Sequence, residues 1–399
     1  MKQLLLNPFL VLLVLTTLLG CEKQKPVLLA ENSTNEELTI DPSIKVEPYQ
    51  LKTNSNPTLK QDINRSLENY YHLHWVKNNL SGNFLVAKNG EIFFERGQGV
   101  SDKLQKKALT KHTPLHIASV SKVLTSTAVL KLVDAQRINL DQKVADILTD
   151  FPYPFVTVRM LLNHRSGLPH YSNFTTIKGV WNTKQVLKNQ DVFDLLKKHQ
   201  FKLIFIPDTQ FNYCNTNYVL LALIVEKVTG LNFRDAMKKM IFEPLKMNNS
   251  YIFDYEKHKD TCSQSYVSAK KYEFNYMDDL YGDKNVYSTP RDLLKFDMAT
   301  YSPKFLSKEL REQVYRGYSN EIKGVNNYGL GIRMSNLYNG KTIYFHNGWW
   351  HGNTSSYTTV KHDTVTIIAL SNRYTKVVYN ARGLHRLFED YNTYKMSVR

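Results

Sequence analysis

A serine and a lysine three residues apart, Ser119 and Lys122, stand at the start of a strongly apolar stretch. On a helix, that spacing puts both side chains on one face within a single turn. A serine hydroxyl is a poor nucleophile until a base removes its proton, and a lysine in a dry pocket can be that base. Most such pairs are a helix cap followed by a solvated lysine. The apolar surroundings here argue against a solvated face and favour a nucleophile near a helix N-terminus, where the dipole stabilises developing negative charge.

A tyrosine and an asparagine, Tyr213 and Asn215, form a second candidate pair just before a helix-like stretch at residues 218–228. Two residues apart on a turn, their side chains can both point into one cleft. A tyrosine can pass on a proton when nearby cations depress the pKa of its hydroxyl. Taken alone, the pair is better interpreted as a core tyrosine beside a turn asparagine, so its weight depends on the other motifs.

A third short motif, His346-Asn347-Gly348, ends a strand-like run at 342–345 and is followed by two tryptophans. A glycine at this place would let a ligand approach the strand backbone closely. The alternative interpretation is an exposed histidine at the edge of a sheet.

Hydrophobic periodicity predicts the elements that must position these motifs. An Asn-Gly pair between two apolar runs is a strong hairpin signal. Helices are predicted at 59–80, 119–135, 218–228 and 381–391, and strands at 84–87, 92–94, 342–345, 355–360 and 365–370. Strands thus lie near both ends of the chain and helices dominate the middle. The pattern predicts an α+β fold, in which helices flank an antiparallel sheet built from both chain ends and a mostly helical region is inserted.

Composition places the chain among ordinary globular proteins. It has 399 residues, of which 42% are hydrophobic and 22% charged, and only three are cysteines, which excludes a disordered chain or a disulfide scaffold. Lys and Arg number 52 against 36 Asp and Glu, giving a net charge of +16. The basic residues are scattered, without an arginine-rich run or a zinc-finger spacing, so we expect no nucleic-acid partner. The charge would suit an anionic cell envelope.

The N-terminus predicts export. Lys2 precedes a mostly apolar stretch at 4–19, as in a secretory signal, and the segment ending at Cys21 resembles a bacterial lipobox, whose cysteine becomes the lipidated first residue. A transmembrane anchor is the alternative, but the stretch is shorter than about 20 residues and an Asn-Pro pair interrupts it. We therefore expect a signal peptide at 1–20, a polar tether at 21–57, and a lipoprotein anchored to a membrane of the cell envelope.

Taken together and in this order, the three motifs resemble those of the serine β-lactamase and penicillin-binding-protein superfamily. The likeness is to its class C branch, which includes esterases and D-aminopeptidases. Four further segments match short family motifs: Leu161–Pro169, Pro244–Met247, Ser288–Leu293 and Tyr328–Gly331. The resemblance covers roughly residues 58–391. It implies a β-lactamase/transpeptidase-like catalytic domain at 58–399, with an α/β part at about 58–118 and 284–399 and a helical part at about 119–283.

The resemblance also implies a two-step acyl transfer. Ser119 would attack a carbonyl and form an acyl-enzyme, while Lys122 and Tyr213 manage the proton. Asn215 would hold the lysine and the substrate by hydrogen bonds. His346 would line the far wall of the cleft and assist the tyrosine.

The implied oxyanion hole consists of the backbone N–H groups of Ser119 and Trp349. Asn347 and Gly348 would contact the substrate, which is a small or peptide-like acyl compound. No cofactor and no metal ion is expected.

Three departures from the family pattern bear on function. His346 stands where lactamases carry a lysine for the β-lactam carboxylate, so a neutral histidine predicts weak or no β-lactam hydrolysis. Cys214 replaces a common serine and is interpreted as a small buried filler; with Cys262 it makes two separate thiols. Asp208 replaces a common glycine, which suggests a different local turn.

The sequence therefore favours an envelope-anchored serine hydrolase acting on esters or peptide-like amides, cell-wall peptides among them. Two alternatives remain open: a non-catalytic binding protein on the same fold, and a true class C β-lactamase. The presence of Ser119, Lys122, Tyr213 and Asn215 together favours an enzyme, because loss of function usually removes one of them.

Overall fold

The computed structural model describes residues 57–389 and contains fourteen β-strands there. They are β1 (Gly82–Lys88), β2 (Glu91–Gln98), β3 (Val100–Asp102), β4 (Lys107–Ala108), β5 (Leu115–His116), β6 (Tyr251–Ile252), β7 (Tyr266–Val267), β8 (Lys270–Lys271), β9 (Val286–Ser288), β10 (Asn326–Tyr328), β11 (Arg333–Asn336), β12 (Thr342–Trp350), β13 (Asn353–Val360) and β14 (Val365–Ser371).

The same residues form ten α-helices, most of them in the middle of the chain. They are α1 (Pro57–Tyr71), α2 (Ser121–Asp134), α3 (Val158–Leu162), α4 (Tyr171–Phe174), α5 (Asn189–His199), α6 (Asn215–Thr229), α7 (Phe233–Met237), α8 (Tyr255–His258), α9 (Pro290–Ala299) and α10 (Lys308–Val314). Short 3-10 or π-helical segments cover His72–Val76, Ala118–Val120, Val144–Asp146, Lys238–Phe242 and Val377–Phe388.

The main sheet has seven antiparallel strands in the order β10-β11-β12-β13-β14-β1-β2. Strands from the C-terminal part therefore pair with β1 and β2 from the N-terminal part, as the sequence predicts. The mixed architecture of helices and antiparallel sheet confirms the predicted α+β class.

Both faces of the sheet are covered, because its central strands are apolar on both sides. Along β1, Phe84 and Val86 face the cluster formed with α1 and the C-terminal 3-10 helix, whereas Leu85 and Ala87 face the larger core. Successive strand residues point to opposite faces, which accounts for this division. The larger core contains α2, α6 and α9.

Helix α6 passes through the helical region and is apolar nearly all round. Residues 216–225 are all buried, so this helix packs on every side rather than presenting one face to solvent. It ends at Gly230, whose φ of 71° gives the left-handed cap expected after a helix. Helices α2, α3 and α5 pack against it. The start of α6, which carries part of the second motif, is thereby held against α2, which carries part of the first motif.

Most predicted elements are present with shifted ends. The hairpin turns at Asn89 and Gly90, whose φ values of 54° and 77° match the turn type that Asn-Gly favours. The first helix ends earlier than predicted, with α1 passing into a π-helical segment that stops at Val76. The last helix begins earlier, at Val377, and is 3-10 rather than α through Phe388; the end of its predicted span, 390–391, lies outside the described residues.

The predicted signal peptide at 1–20, Cys21 and the tether as far as residue 56 also lie outside the described residues. Within 57–389, no helix has the length and apolar character needed to cross a bilayer. Cys214 and Cys262 are both buried and free, which agrees with two separate thiols.

Candidate active site

Ser119 lies at the junction of the sheet and the helical region, in the 3-10 turn that precedes α2. The residue before it, Ala118, has a φ of 47°, a conformation that costs free energy for a residue with a side chain. Two contacts hold this turn: the Ala118 N–H donates to His116 Nδ1 at 3.1 Å, and the Ser355 hydroxyl donates to the Ile117 carbonyl at 2.6 Å. The strained turn leaves Ser119 half-buried, so its hydroxyl stays partly accessible.

Lys122 is fully buried one turn further along, in the first turn of α2. Its Nζ lies 3.1 Å from Ser119 Oγ and donates to the backbone carbonyl of Asp283 at 2.6 Å. In the described part of the chain, no carboxylate lies within ion-pair distance of this amino group. The Asp283 carboxylate instead accepts from the Tyr171 hydroxyl at 2.8 Å and lies 3.5 Å from Lys284. Lys122 is thus aimed at Ser119 without being neutralised by an acid.

Tyr213 lies beside Lys122 within a stack of rings. Its ring centroid is 5.0 Å from Lys122 Nζ, 4.4 Å from the centroid of His164 and 4.8 Å from the Arg333 guanidinium carbon. No hydrogen bond joins its hydroxyl to Ser119 or Lys122 among residues 57–389. Catalytic hydrogen bonds are often long before substrate binds, so the position is compatible with proton transfer in a complex.

The ring of His164 packs against the ring of Tyr213. Its Nδ1 accepts the Cys214 N–H at 3.1 Å, and burial, helped by the nearby Lys122 and Arg333, lowers its pKa well below 6.5. A neutral, fully buried imidazole packed on Tyr213 fits a structural role for this histidine. The sulfur of Cys214 donates to the Leu168 carbonyl at 3.3 Å, and burial raises the pKa of its thiol, so the cysteine packs as an unreactive filler.

Asn215 is the first residue of α6, and its side chain is half-buried. The expected hydrogen bond between Asn215 and Lys122 is not formed; the Asp283 carbonyl takes that place. The side-chain Oδ1 of Asn215 is buried and has no hydrogen-bond partner. Buried polar atoms are nearly always paired, so an unpaired carbonyl oxygen in a cleft points to a donor supplied by a ligand.

His346 is fully buried rather than exposed at a sheet edge. Its Nε2 lies 3.3 Å from the Tyr328 hydroxyl and its Nδ1 lies 2.9 Å from the Asn347 carbonyl. Burial, together with Arg333 and Lys122, lowers its pKa well below 6.5, so the ring is neutral. It does not line the open wall of the cleft as expected, and its ring centroid is 6.1 Å from that of Tyr213, with no hydrogen bond between them.

Strand β12 carries Gly348 directly against the turn of Ser119. A methyl group at Gly348 would come within 2.5 Å of the Ile117 carbonyl and 3.0 Å of Ala118 Cβ, so only glycine allows this approach. The next peptide N–H along the strand belongs to Trp349, the second expected oxyanion donor. The neighbouring Asn347 is half-buried, and its Oδ1 accepts from the Ser356 hydroxyl at 3.2 Å.

Three residues of the site were not found by sequence reasoning. Asp283 supplies the carbonyl to Lys122, and Arg333 places a cation over Tyr213. Tyr379, in the C-terminal 3-10 helix, donates to the Gly348 carbonyl at 3.0 Å and so touches the peptide that carries the Trp349 N–H. Each reaches the site through tertiary packing, and none has a spacing signal relative to the three motifs.

Asp208, which replaces the glycine common in the family, adopts the backbone conformation that glycine favours. Asp208 has a φ of 68°, in the left-handed region that glycine favours, so the expectation of an altered turn is not supported. Its carboxylate accepts from Arg165 Nε at 2.7 Å, and Arg165 also pairs with Glu321 at 2.9 Å. These ion pairs offset part of the conformational cost.

An antiparallel sheet beside a helical region, with a serine, a buried lysine and a tyrosine at their junction, defines the class of active-site serine hydrolases that includes β-lactamases and penicillin-binding proteins. Comparison with known proteins agrees: the family model described as Beta-lactamase matches residues 76–390. The chain therefore belongs to the Beta-lactamase family and is a serine hydrolase related to β-lactamases and penicillin-binding proteins.

Relatives and solved structures point the same way. The chain is 30% identical over 331 residues to Penicillin-binding protein 4* of Bacillus subtilis, covering 79% of this chain and 73% of that protein. It is 27% identical over 215 residues to a D-aminopeptidase of Cereibacter sphaeroides, covering 53% of this chain and 41% of that protein. The crystal structure of a penicillin-binding protein from Bacillus halodurans superposes with a TM-score of 0.68 at 21% identity, covering 84% of this chain and 99% of that one.

Proposed function

We propose that this protein is an exported, lipid-anchored serine hydrolase that cleaves peptide-like amides through an acyl-enzyme on Ser119. One observation carries the proposal. The buried Nζ of Lys122 lies 3.1 Å from Ser119 Oγ and has no carboxylate partner among the described residues. A buried amino group beside a serine and without an acid partner is placed to act, as the neutral amine, as the base that the serine needs.

In the first step, Lys122, with Tyr213 beside it, takes the proton of Ser119 as Oγ bonds to the substrate carbonyl carbon. The 3.1 Å separation serves a hydrogen bond in either direction. The carbonyl oxygen becomes an oxyanion held by the N–H groups of Ser119 and Trp349. Each such donor is typically worth about 3–4 kcal/mol of barrier.

Collapse of that intermediate breaks the C–N bond, and the leaving nitrogen takes a proton through Tyr213. A water molecule then attacks the acyl-enzyme, using the same groups in reverse, and restores the Ser119 hydroxyl. The leaving group must therefore face Tyr213, and the acyl group must extend away from it.

The preference for amides rests on Asn215 and on the relatives. The unpaired, buried Oδ1 of Asn215 can accept an N–H from a peptide-like substrate, which a simple ester does not offer. One relative bears the name D-aminopeptidase and another the name penicillin-binding protein, which supports amide or peptide substrates.

Arg333 supplies a cation that can bind a substrate carboxylate. The Arg333 guanidinium lies over the Tyr213 ring, on the leaving-group side, and no carboxylate of the described residues pairs with it. It lines a cavity of about 330 Å³ together with Phe211 and Tyr328. The prediction of weak β-lactam hydrolysis rests on the absence of a cation at residue 346. Arg333 removes that reason, and a peptide with a free carboxylate becomes a suitable substrate.

Covalent labelling tests the nucleophile. The wild-type protein should gain the mass of one fluorophosphonate group by intact-mass spectrometry, and Ser119→Ala should gain none. Ser66→Ala, on α1 beyond the opposite face of the sheet, is the matched control and should label like the wild type. Equal labelling of Ser119→Ala would overturn the assignment, and hydrolysis of esters without any hydrolysis of peptide amides would overturn the substrate class.

β-Lactam hydrolysis is the second candidate, because the matching family model is described as Beta-lactamase and Arg333 could receive the β-lactam carboxylate. Turnover of a chromogenic cephalosporin at a rate above that of any amide would favour this candidate.

Export and anchoring rest on the sequence before residue 57, where the apolar stretch at 4–19 is followed directly by Gly20 and Cys21. Replacing Cys21 with Ser in the full chain should move the protein from the membrane fraction to the soluble fraction. Unchanged retention in the membrane would point to an uncleaved apolar anchor instead.

A further inference from the structure

Residue positions along β12 give the distance between the two ends of the site. Arg333 of β11 pairs with Phe345, and Trp349 pairs with Thr354 of β13, so these two strand positions are four residues apart. At about 3.3 Å per residue, they are separated by about 13 Å. Gly348, which packs against the turn of Ser119, lies between them. The Arg333 end and the tryptophan end therefore extend to opposite sides of the reacting serine.

A cavity of about 370 Å³ opens at the tryptophan end. Here we call it the aromatic pocket, and it is defined by Val267, Tyr272, Met277, Trp349, Trp350 and Tyr374. Its volume lies in the range of sites that take small organic ligands. The side chain of Trp349 is 62% exposed, and Tyr272 and Tyr374 are about 40% exposed, so the fold itself does not use these rings as core. Grouped exposed aromatic side chains beside an active site indicate a binding surface.

The polar atoms of both tryptophans are already used inside the protein. The indole N–H of Trp349 donates to the His351 carbonyl at 2.9 Å, and that of Trp350 donates to the buried Asp278 carboxylate at 2.6 Å. The His351 Nε2 also lies 2.8 Å from Asp278, and the ring of His351 stacks on Tyr272 at 4.2 Å. These bonds fix the ring orientations, so the pocket presents mainly ring faces and edges, with Asn275 and His351 as its polar lining residues.

We propose that the aromatic pocket binds an aromatic or branched apolar side chain on the acyl part of the substrate. This inference rests on the proposed function, because the leaving group must face Tyr213 and the acyl part then extends towards Trp349. A fixed apolar pocket discriminates by the area that the side chain buries. We therefore expect an aromatic acyl group to be preferred over a methyl group by about 10- to 100-fold in kcat/KM.

The test measures acyl selectivity in two substrate series. One series is p-nitrophenyl acetate, phenylacetate and 3-phenylpropionate; the other is p-nitroanilides of alanine, leucine and phenylalanine in both enantiomers. The full-length protein, Tyr272→Ala, Tyr374→Ala and the control Tyr338→Ala are compared. Tyr338 is a fully exposed tyrosine in the turn before β12, at the other end of that strand, and its removal should leave the selectivity ratio unchanged.

The wild type should prefer the aromatic acyl group in both series, and each pocket variant should lower that ratio about tenfold. A ratio near one in the wild type, or an unchanged ratio in both pocket variants, would overturn the inference while leaving the proposed function intact. Selectivity among the esters without hydrolysis of any anilide would overturn the amide assignment but support the pocket. Absence of hydrolysis in both series would overturn both.

Discussion

The two sides of Ser119 are built from opposite chemistry. On the side of Tyr213, the buried Lys122 Nζ and the Arg333 guanidinium each lie within about 5 Å of the tyrosine ring, which packs near neutral buried imidazoles. On the other side, the aromatic pocket offers ring faces whose polar atoms are already bonded. The first side can move protons and hold charge, whereas the second distinguishes mainly shape and apolar area. We infer that chemistry and specificity are separated along β12, and variants on each side should fail in different ways.

The sharpest difference should appear when the proton path is removed. Lys122→Met and Tyr213→Phe should each lower kcat by about 10³- to 10⁴-fold for every substrate, and the double variant should lose no more than the worse single one, because groups that act as a unit are not additive. Aromatic-pocket variants should instead change substrate preference. Rates measured with one small and one aromatic ester would check this.

The matched control for that experiment is Lys131→Met, on the same helix, whose Nζ donates to the Phe305 carbonyl at 3.2 Å. It should keep nearly full activity if it remains folded. Independent losses that multiply in the double variant would contradict a shared proton path through Lys122 and Tyr213.

The next largest effect should come from Arg333, and it should depend on substrate charge. A charge-assisted hydrogen bond to a carboxylate contributes about 1.5–3 kcal/mol, so Arg333→Gln should reduce kcat/KM about 10- to 100-fold for peptides with a free carboxylate. The corresponding peptide amides, which lack the charge, should be hydrolysed at the wild-type rate. Arg333→Lys should recover part of the loss.

Arg316→Gln is the control, because that exposed arginine lies against Tyr318 outside the cleft. An equal loss for charged and uncharged peptides would show that Arg333 merely supports the Tyr213 ring. The side of Tyr213 would then not distinguish charged from uncharged substrates.

Features that depend on local sequence patterns could be predicted, whereas contacts made across the fold could not. The fold was predictable because its strands and helices follow apolar periodicity, and the Ser119–Lys122 contact was predictable because a three-residue spacing on a helix is local. Arg333 was missed because it comes thirteen residues before His346 and reaches the site only through the register of β11 on β12. No local pattern marks such a cross-strand neighbour.

His346, in contrast to Arg333, was predicted to line the cleft, but the structure buries it. Its position at the end of a strand-like run permitted an exposed edge residue or a cleft wall, but β12 is an interior strand and the ring is buried under Tyr328. Burial of a strand residue depends on what packs over it, which the strand pattern does not contain. The pairing of Lys122 with a backbone carbonyl rather than Asn215 was equally out of reach, because the loop at Asp283 folds back over α2.

Acid should weaken both sides through their buried histidines. Burial lowers the pKa of His116 to about 4, against about 6.5 in an unfolded chain. Between those values the unfolded chain binds more protons, so the free energy of unfolding falls as the pH drops from about 6.5 towards 4. For His116 the loss at pH 5 is up to about 2 kcal/mol. His164 and His346 act in the same direction.

Urea unfolding at pH 7 and pH 5 measures this. His116→Gln should narrow the difference in unfolding free energy between the two pH values, whatever its stability at pH 7, whereas the exposed control His112→Gln should not. The same pH dependence in His116→Gln and the wild type would assign the acid sensitivity to the histidines under Tyr213 alone.

The smallest expected effect belongs to Tyr379, which touches the centre rather than either side. Its hydroxyl donates to the Gly348 carbonyl at 3.0 Å, and burial raises its pKa to about 12, so it stays protonated over the working range. A hydrogen bond to a peptide carbonyl polarises the N–H of the same peptide, here that of Trp349. Tyr379→Phe should lower kcat about 3- to 10-fold with KM unchanged, equally for small, aromatic and carboxylate-bearing substrates.

A boronic acid that mimics the oxyanion separates this role from mere packing. Its affinity should fall in Tyr379→Phe by the same factor as kcat/KM, while the affinity of an uncleaved amide product should not change, because only the mimic places negative charge at the Trp349 N–H. Tyr338→Phe, fully exposed, should alter neither affinity. Parallel losses for both ligands would mean that Tyr379 only packs the C-terminal helix against β12, and the oxyanion site would then be independent of that helix.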